Sequence, residues 1–298
     1  MGTLTPIADL AKAAFRVTVQ PALFVRKRAA RYAMAGVDAA ALPVCRVDAQ
    51  SGRPTCNGEC GYTESLSRRH LAEYRRADGS HRGKPWLGTA CVIALTEQTS
   101  FESYARRVIQ RTSNASRRLS RKAARAGYVT GFFHPPYVVG QMAAILSSKR
   151  FRSGGLVPYG LLDIGRRAPD HGHVGGYRPQ PPCPLHWTLH WGVFATRDAD
   201  GRPLPHAQWT LAGFVKLRRI GSLVHALQIM THGDHLPAGA HDLMHLELVR
   251  WLMENPDGLA GGVTHFLYGA LEHAGDGLAH WKLRRGFTPM LVELPPPS

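Results

Sequence analysis

Apolar residues in the second half of the chain fall into short blocks separated by turn residues. Thr188–Thr196 (TLHWGVFAT), Thr210–Leu217 (TLAGFVKL) and Ser222–Met230 (SLVHALQIM) mix alternating and continuous apolar positions, with DADGRP and Gly221 between them. Blocks of this length, rich in β-branched and aromatic residues and joined by short turns, predict three strands of an antiparallel meander. Val263–Leu294 predicts a strand, a helix and a strand: VTHFLYGALEH, then AGDGLAHWKLRRGF closed by Gly286, then TPMLVEL. Further upstream, LGTACVIALT predicts a strand, and Ser100 caps a helix that runs to Gly127. YVTGFF follows as a strand, and HPPYVVGQMAAILSSKR as a helix with prolines at its start.

These elements predict a mixed α/β fold with a largely antiparallel central sheet flanked by helices. The chain divides into an N-terminal basic region of unclear fold, 1–98, with a Cys-bearing loop, and a main domain, 99–298. Arg166–Pro184, RRAPDHGHVGGYRPQPPCP, has no apolar period and reads as a long loop, either folded over a substrate or a surface insertion.

Charge changes this picture. The chain carries a formal net charge of +16, and residues 1–150 hold 24 Lys and Arg against 9 Asp and Glu. Between Arg106 and Arg125 the basic residues are dense. On one continuous helix Arg107, Arg111, Arg118, Lys122 and Arg125 would recur at helical spacing. Such a ridge suits phosphate, so a polyanionic partner such as tRNA, DNA or a nucleotide-linked precursor is expected, with a solvated helix face as the plain alternative. Arg16–Arg31 reads as a basic helix that packs on the rest of the chain or lies on an anionic surface. No apolar run approaches the roughly 18 residues that span a bilayer, and the first residues do not read as a secretion signal. A cytoplasmic protein without integral membrane association is expected.

Cys45, Cys56 and Cys60 cluster in CRVDAQSGRPTCNGEC, while Cys91 and Cys183 stand apart. Cys56 and Cys60 have zinc-compatible spacing and His70 could add a ligand, but only one such pair exists, so thiols and no metal are expected. His225, His232, His235, His241 and His245 crowd one region. His241 and His245 share a helical face, open to metal binding, proton transfer or a structural role.

The pair Trp281-Lys282 ahead of Gly286-Phe287 resembles the end of GNAT-superfamily acyltransferases, in particular the branch of FemABX aminoacyl transferases and BioF2-like proteins. Arg121–Val129 (RKAARAGYV) and Ile145–Gly155 (ILSSKRFRSGG) resemble segments of the same branch in the same order. The resemblance implies a GNAT-like domain that transfers an acyl or aminoacyl group to an amine acceptor. It makes Lys282 the stabiliser of the tetrahedral oxyanion and Trp281 a wall of the acyl pocket. Glu272 and His273 become candidate bases, and Tyr268 an acid or substrate-holding group. Arg152, His232, Asp234, His235, Arg118 and Lys122 are the expected substrate-binding residues.

Many acetyl-CoA enzymes carry a Gln/Arg-x-x-Gly-x-Gly/Ala loop after the third central strand. Here THGDHLPAGAHD has His235, Leu236 and Pro237 in its place. The donor is therefore acyl-CoA or an aminoacyl-tRNA, the departure from the loop favouring the latter. The alternative is a nucleic-acid-binding protein that keeps the fold without the chemistry.

Overall fold

The computed structural model describes residues 29–38, 41–49, 60–74, 89–149, 151–152, 155–156, 176–198, 200–272 and 275–294. His273, Cys56, most of Arg16–Arg31 and residues 166–175 of the long loop lie outside them.

The three meander blocks form β6 (His186–Ala195), β7 (Thr210–Ile220) and β8 (Leu223–Thr231), antiparallel neighbours in the expected order. β3 (Tyr128–Phe133) pairs antiparallel with β6 and ends the sheet on that side. On the other side β9 (His265–Ala270) runs parallel to β8. β2 (Ala90–Ala94), β10 (Thr288–Glu293) and β1 (Val44–Arg46) follow, giving an eight-stranded sheet in the order β1-β10-β2-β9-β8-β7-β6-β3. Within it only β8/β9 and β1/β10 are parallel. β4 (Phe151–Arg152) and β5 (Gly155–Leu156) make a separate two-stranded ribbon.

The boundary expected near residue 98 runs through this sheet. β1 pairs with β10, and β2 sits between β10 and β9. The described part of 1–98 thus supplies strands to the same sheet as the rest of the chain, because their buried apolar faces (Cys45, Ala90, Val92) meet Leu267, Met290 and Val292 in one core.

Both faces of the sheet are covered. On one lie α2 (Phe101–Arg111), α3 (Ala115–Arg125), α5 (Ala240–Glu254) and α6 (Asp276–Arg284). On the other lie α1 (Cys60–Leu71) and α4 (Val139–Ser147). α5 is the central helix: Leu243, Met244, Leu246, Leu248, Val249, Trp251 and Leu252 are all buried, as befits a helix enclosed on nearly every side. Trp251 packs edge-on against Phe132 of β3, with ring centroids 4.9 Å apart.

The basic region is two helices rather than one. Ser113 and Asn114 adopt left-handed φ values of 48° and 64°. Thr112 Oγ1 bonds back to the Val108 carbonyl and accepts from Ser116 N, which ends α2 and starts α3. A polar Thr-Ser-Asn run offers the backbone alternatives to the helical ladder. The cationic residues therefore do not make one ridge. Arg117, Arg118, Arg121, Lys122 and Arg125 remain together as exposed residues of α3.

Candidate active site

β8 and β9 are paired only at their starts, Leu223 with His265, Val224 with Phe266 and His225 with Leu267. Beyond that each is held by its outer neighbour, β8 by β7 as far as Thr231 and β9 by β2 as far as Ala270. Irregularities fall on both strands where they part. The β7/β8 register shifts between Lys216 and Leu217, leaving Leu227 extra on β8, and the β2/β9 register shifts across Tyr268 and Gly269. A bulge bends its strand and re-aims side chains, so two of them facing each other open a V in the sheet. Gly269 takes φ +55° at this point, and a Cβ there would lie 3.4 Å from Lys282 Nζ.

Helix α6 lays Trp281 and Lys282 against the V. Lys282 does not project into solvent. It is 2% exposed, donates to the Ala270 carbonyl at 2.8 Å and lies 4.7 Å from the Tyr268 ring centroid. Burial pushes its pKa down, while the Cys91 and Glu272 charges act to raise it. Burial also pushes the Tyr268 hydroxyl up to about 12 and the Cys91 thiol to about 11. At neutral pH Tyr268 is thus a proton carrier, not an anion.

Trp281 is the hub of the ring cluster. His241 lies 4.9 Å, His245 5.2 Å and Tyr268 6.1 Å from it, centroid to centroid. His241 and His245 do share a face of α5, turned toward Trp281. Their nitrogens are directed elsewhere: His241 Nδ1 to Thr231 Oγ1 at 2.9 Å, His245 Nε2 to Tyr104 Oη at 2.8 Å. Tyr104 spends its single proton on the Arg285 carbonyl, so His245 Nε2 carries the hydrogen and Nδ1 keeps its lone pair. That Nδ1 and the Trp281 Nε1–H are buried and have no hydrogen-bond partner among the described residues. They form an acceptor and a donor in one apolar cluster.

Glu272 is placed differently from a general base. It accepts from Thr89 N at 2.7 Å, Thr89 Oγ1 at 2.5 Å and Tyr32 Oη at 3.2 Å, and is 1% exposed. Donors surround the carboxylate, which ties the helical residues 29–35 and the start of β2 to the end of β9. Arg31 pairs with Asp276 of α6 and reinforces the same junction.

The other expected site residues lie apart from the V. His235 Nδ1 meets Tyr128 Oη at 2.6 Å, and His232 Nδ1 accepts from Asp234 N at 3.3 Å. Asp234 is exposed. These residues organise the turn between β8 and α5 and do not converge on Trp281. Arg118 is exposed on α3, and Lys122 donates to the Pro237 carbonyl of that turn at 2.9 Å. Arg152 is on the β4/β5 ribbon. His70 stands beside Arg218, Nδ1 to Nη1 3.1 Å.

The turn before α5 departs from a phosphate cradle in geometry as well as sequence. Gly239, at φ +88°, is pressed against α3 so closely that a Cβ would fall 2.1 Å from the Leu119 carbonyl oxygen. The first turn of α5 carries Asp242, buried and paired with Arg285, which also donates to Ser116 Oγ. A carboxylate here occupies the positive end of the helix that a pyrophosphate would need.

Buried imidazoles give the fold a pH dependence. Burial pulls His225 down to about 3, and His70, Arg218 and Lys282 add to the effect; Tyr74 meets its ring edge-on. His245 is lowered well below its ordinary value by burial, then by Arg285 and His241. Both are neutral when folded but gain a proton below about pH 6.5 when unfolded, so stability is intact above that pH and falls below it by about 1.4 kcal/mol per pH unit for each. The melting temperature is expected to drop between pH 7 and pH 5, and His225→Gln to drop less over the same range. Equal slopes for the two proteins in a thermal-shift series would contradict this.

No protein-family model and no curated protein matches the chain. Among solved structures it is similar to L-PGS from Bacillus licheniformis, at 14% identity and TM-score 0.34, covering 61% of this chain and 45% of that one. It is similar to the C-terminal DUF2156 domain of a protein assigned as a lysylphosphatidylglycerol synthetase from Agrobacterium fabrum, at 13% identity and TM-score 0.38, covering 68% and 58%. A tandem GNAT protein from the clavulanic acid biosynthesis pathway, without AcCoA, gives 14% identity and TM-score 0.38, covering 85% and 74%. The chain thus spans about half the length of the first two.

Proposed function

We propose that this chain is a GNAT-like transferase that moves an acyl or aminoacyl group from a thioester or ester to an amine in the V between β8 and β9. The observation that carries the reading is the parallel pair that separates after His225 and Leu267, with Trp281, Tyr268 and Lys282 gathered at the opening. In the reaction the amine nitrogen attacks the carbonyl carbon, a C–N bond forms, the C–S or C–O bond breaks, and the leaving thiol or hydroxyl takes a proton. Negative charge gathers on the carbonyl oxygen on the way, and a fixed cation in a dry site stabilises it far better than water would. Lys282 is that cation. Tyr268, protonated at neutral pH, gives its proton to the leaving group and takes one back from the amine nitrogen that has attacked. Trp281 Nε1–H and His245 Nδ1 are the donor and acceptor available to the acyl moiety. Glu272 serves as a positioning residue for the β9 end, not as the base.

The donor reading favours an aminoacyl-tRNA over acyl-CoA. Gly239 packed on Leu119 and Asp242 in the first turn of α5 argue against a pyrophosphate there, while the exposed cations of α3 flank the same turn. The test is transfer from bulk charged tRNA, and separately from acetyl-CoA, to a panel of amines. Label from tRNA should reach an amine and label from acetyl-CoA should not; the reverse would overturn the donor assignment, and no transfer from either would overturn the enzyme reading. Arg118→Ala with Lys122→Ala is expected to weaken tRNA binding severalfold and to make its salt dependence shallower by one to two units of log–log slope, measured by filter binding at several salt concentrations. An unchanged slope would remove α3 from the tRNA footprint.

A further inference from the structure

Away from the V, on the α1 side of the sheet, three side chains from distant parts of the sequence converge: Cys60 in α1, Cys183, and His186 at the start of β6. Their sulfur and nitrogen donor atoms all lie within 4.8 Å of one another, and all three residues are buried. They border a cavity of about 260 Å³ with Thr63, Tyr177 and Trp187. We propose that Cys60, Cys183 and His186 bind a structural zinc ion that staples α1 to the start of β6.

The imidazole is set for it. His186 Nε2 lies 2.8 Å from the Ala49 carbonyl, which can only accept, so Nε2 holds the proton and Nδ1 presents its lone pair. A ligating histidine with its other nitrogen donated to a backbone carbonyl is the usual arrangement around zinc. Nδ1 in turn faces Cys183 Sγ at 3.5 Å. A shared tetrahedral zinc, with Zn–S about 2.3 Å and Zn–N about 2.0 Å, brings sulfur and nitrogen to about 3.5 Å from each other. The sulfur is supported as well: Leu185 N donates to Cys183 Sγ at 3.4 Å, a contact of the kind that holds a metal-bound sulfur in place.

The donor set selects the metal. Two thiolates and an imidazole, with no carboxylate, suit zinc over magnesium or calcium. Among the described residues no fourth Cys, His, Asp or Glu joins the group. The fourth corner is then taken by water or by a group beyond these three. Binding releases the two thiol protons to solvent and leaves the imidazole neutral, so no oxidant or reductant is involved. This revises the expectation of no metal. The spare ligand is not His70, and Cys60 finds its partners about 120 residues downstream, at 183 and 186.

The experiment uses the full chain as purified. Elemental analysis should find about one zinc per chain, and zinc X-ray absorption should show two sulfur neighbours with at least one nitrogen. A thiolate-binding mercurial should release the zinc, and a chelator should lower the melting temperature, restored by added zinc. Cys183→Ser and His186→Asn should each lose most of the metal. Should those variants fail to fold, replacing zinc by cobalt in the wild-type chain and in Cys56→Ser gives the answer: a thiolate-to-cobalt charge-transfer band kept in both supports these sulfurs, and its absence from the wild type overturns them. Less than about a tenth of an equivalent of zinc after growth in zinc-supplemented medium, or zinc without sulfur neighbours, would overturn the proposal and leave a thiol–imidazole hydrogen bond in its place.

Discussion

Lys282→Ala is expected to lower turnover by about 100- to 1,000-fold while leaving substrate affinity within a few-fold, the range for loss of one oxyanion donor. The reason lies in how the fold holds this ammonium. Its Nζ lies over the Tyr268 ring, 4.7 Å from the centroid, and the Ala270 carbonyl takes one of its three N–H donors. Charge developing on a substrate oxygen in the V would be stabilised from a fixed position. The variant should still fold. Glu272, the carboxylate that acts on Lys282 together with Cys91, keeps its donors from Thr89 and Tyr32, so removal of the cation leaves no bare carboxylate. The Ala270 carbonyl loses a partner, at a cost of about 1–3 kcal/mol. Steady-state kinetics with melting curves separates the two effects: a fall in kcat with KM held is the expected result, whereas an unchanged kcat would remove Lys282 from the chemistry.

The second large effect concerns stability. Arg285 and Asp242 form an ion pair with side chains only 6% and 10% exposed, and Arg285 also reaches Ser116. The pair, with Ser116, ties the end of α6 to α5 and α3. Arg285→Met removes the cation and leaves a buried carboxylate unpaired at the first turn of α5, a change that costs about 3–5 kcal/mol. In a chain of this size that corresponds to a fall in melting temperature on the order of 10 °C. Asp242→Asn in the same background is expected to recover part of it, because the stranded charge is then gone. A second substitution that deepens the loss would show that Asp242 acts through something other than Arg285.

Much of this architecture was legible in the chain. Alternation and turn residues marked β6, β7 and β8 as a meander, and the apolar run before a polar helix marked β9, α6 and β10. Those signals are local: a strand's faces and a turn's dihedral demands are written in neighbouring residues. The V was not legible. It depends on where β8 leaves β9, which is fixed by bulges at Leu227 and at Tyr268–Gly269, and a one-residue bulge barely disturbs an apolar pattern. The break between α2 and α3 was hidden for a similar reason, since Thr112, Ser113 and Asn114 neither forbid a helix nor demand its end until packing decides. Trp281 and Lys282 were singled out by resemblance, whereas their companions His241 and His245 carried only a four-residue spacing. The surroundings of Glu272 were not legible because its partners, Thr89 and Tyr32, come from the far N-terminal side of the sequence. Cys60 meets Cys183 and His186 across about 120 residues, which no local spacing announces.

The central claim is that the V between β8 and β9 holds the group being transferred. It is tested most directly by a donor with a photoreactive acyl group, benzoylphenylalanyl-tRNA or a benzophenone-bearing acyl-CoA, irradiated on the full chain and mapped by peptide mass spectrometry. The account predicts label on the peptides that carry Tyr268, Trp281 and His241, competed away by unlabelled donor. Label confined to the α3 surface or to the cavity beside Cys60, with none on those three, would contradict it.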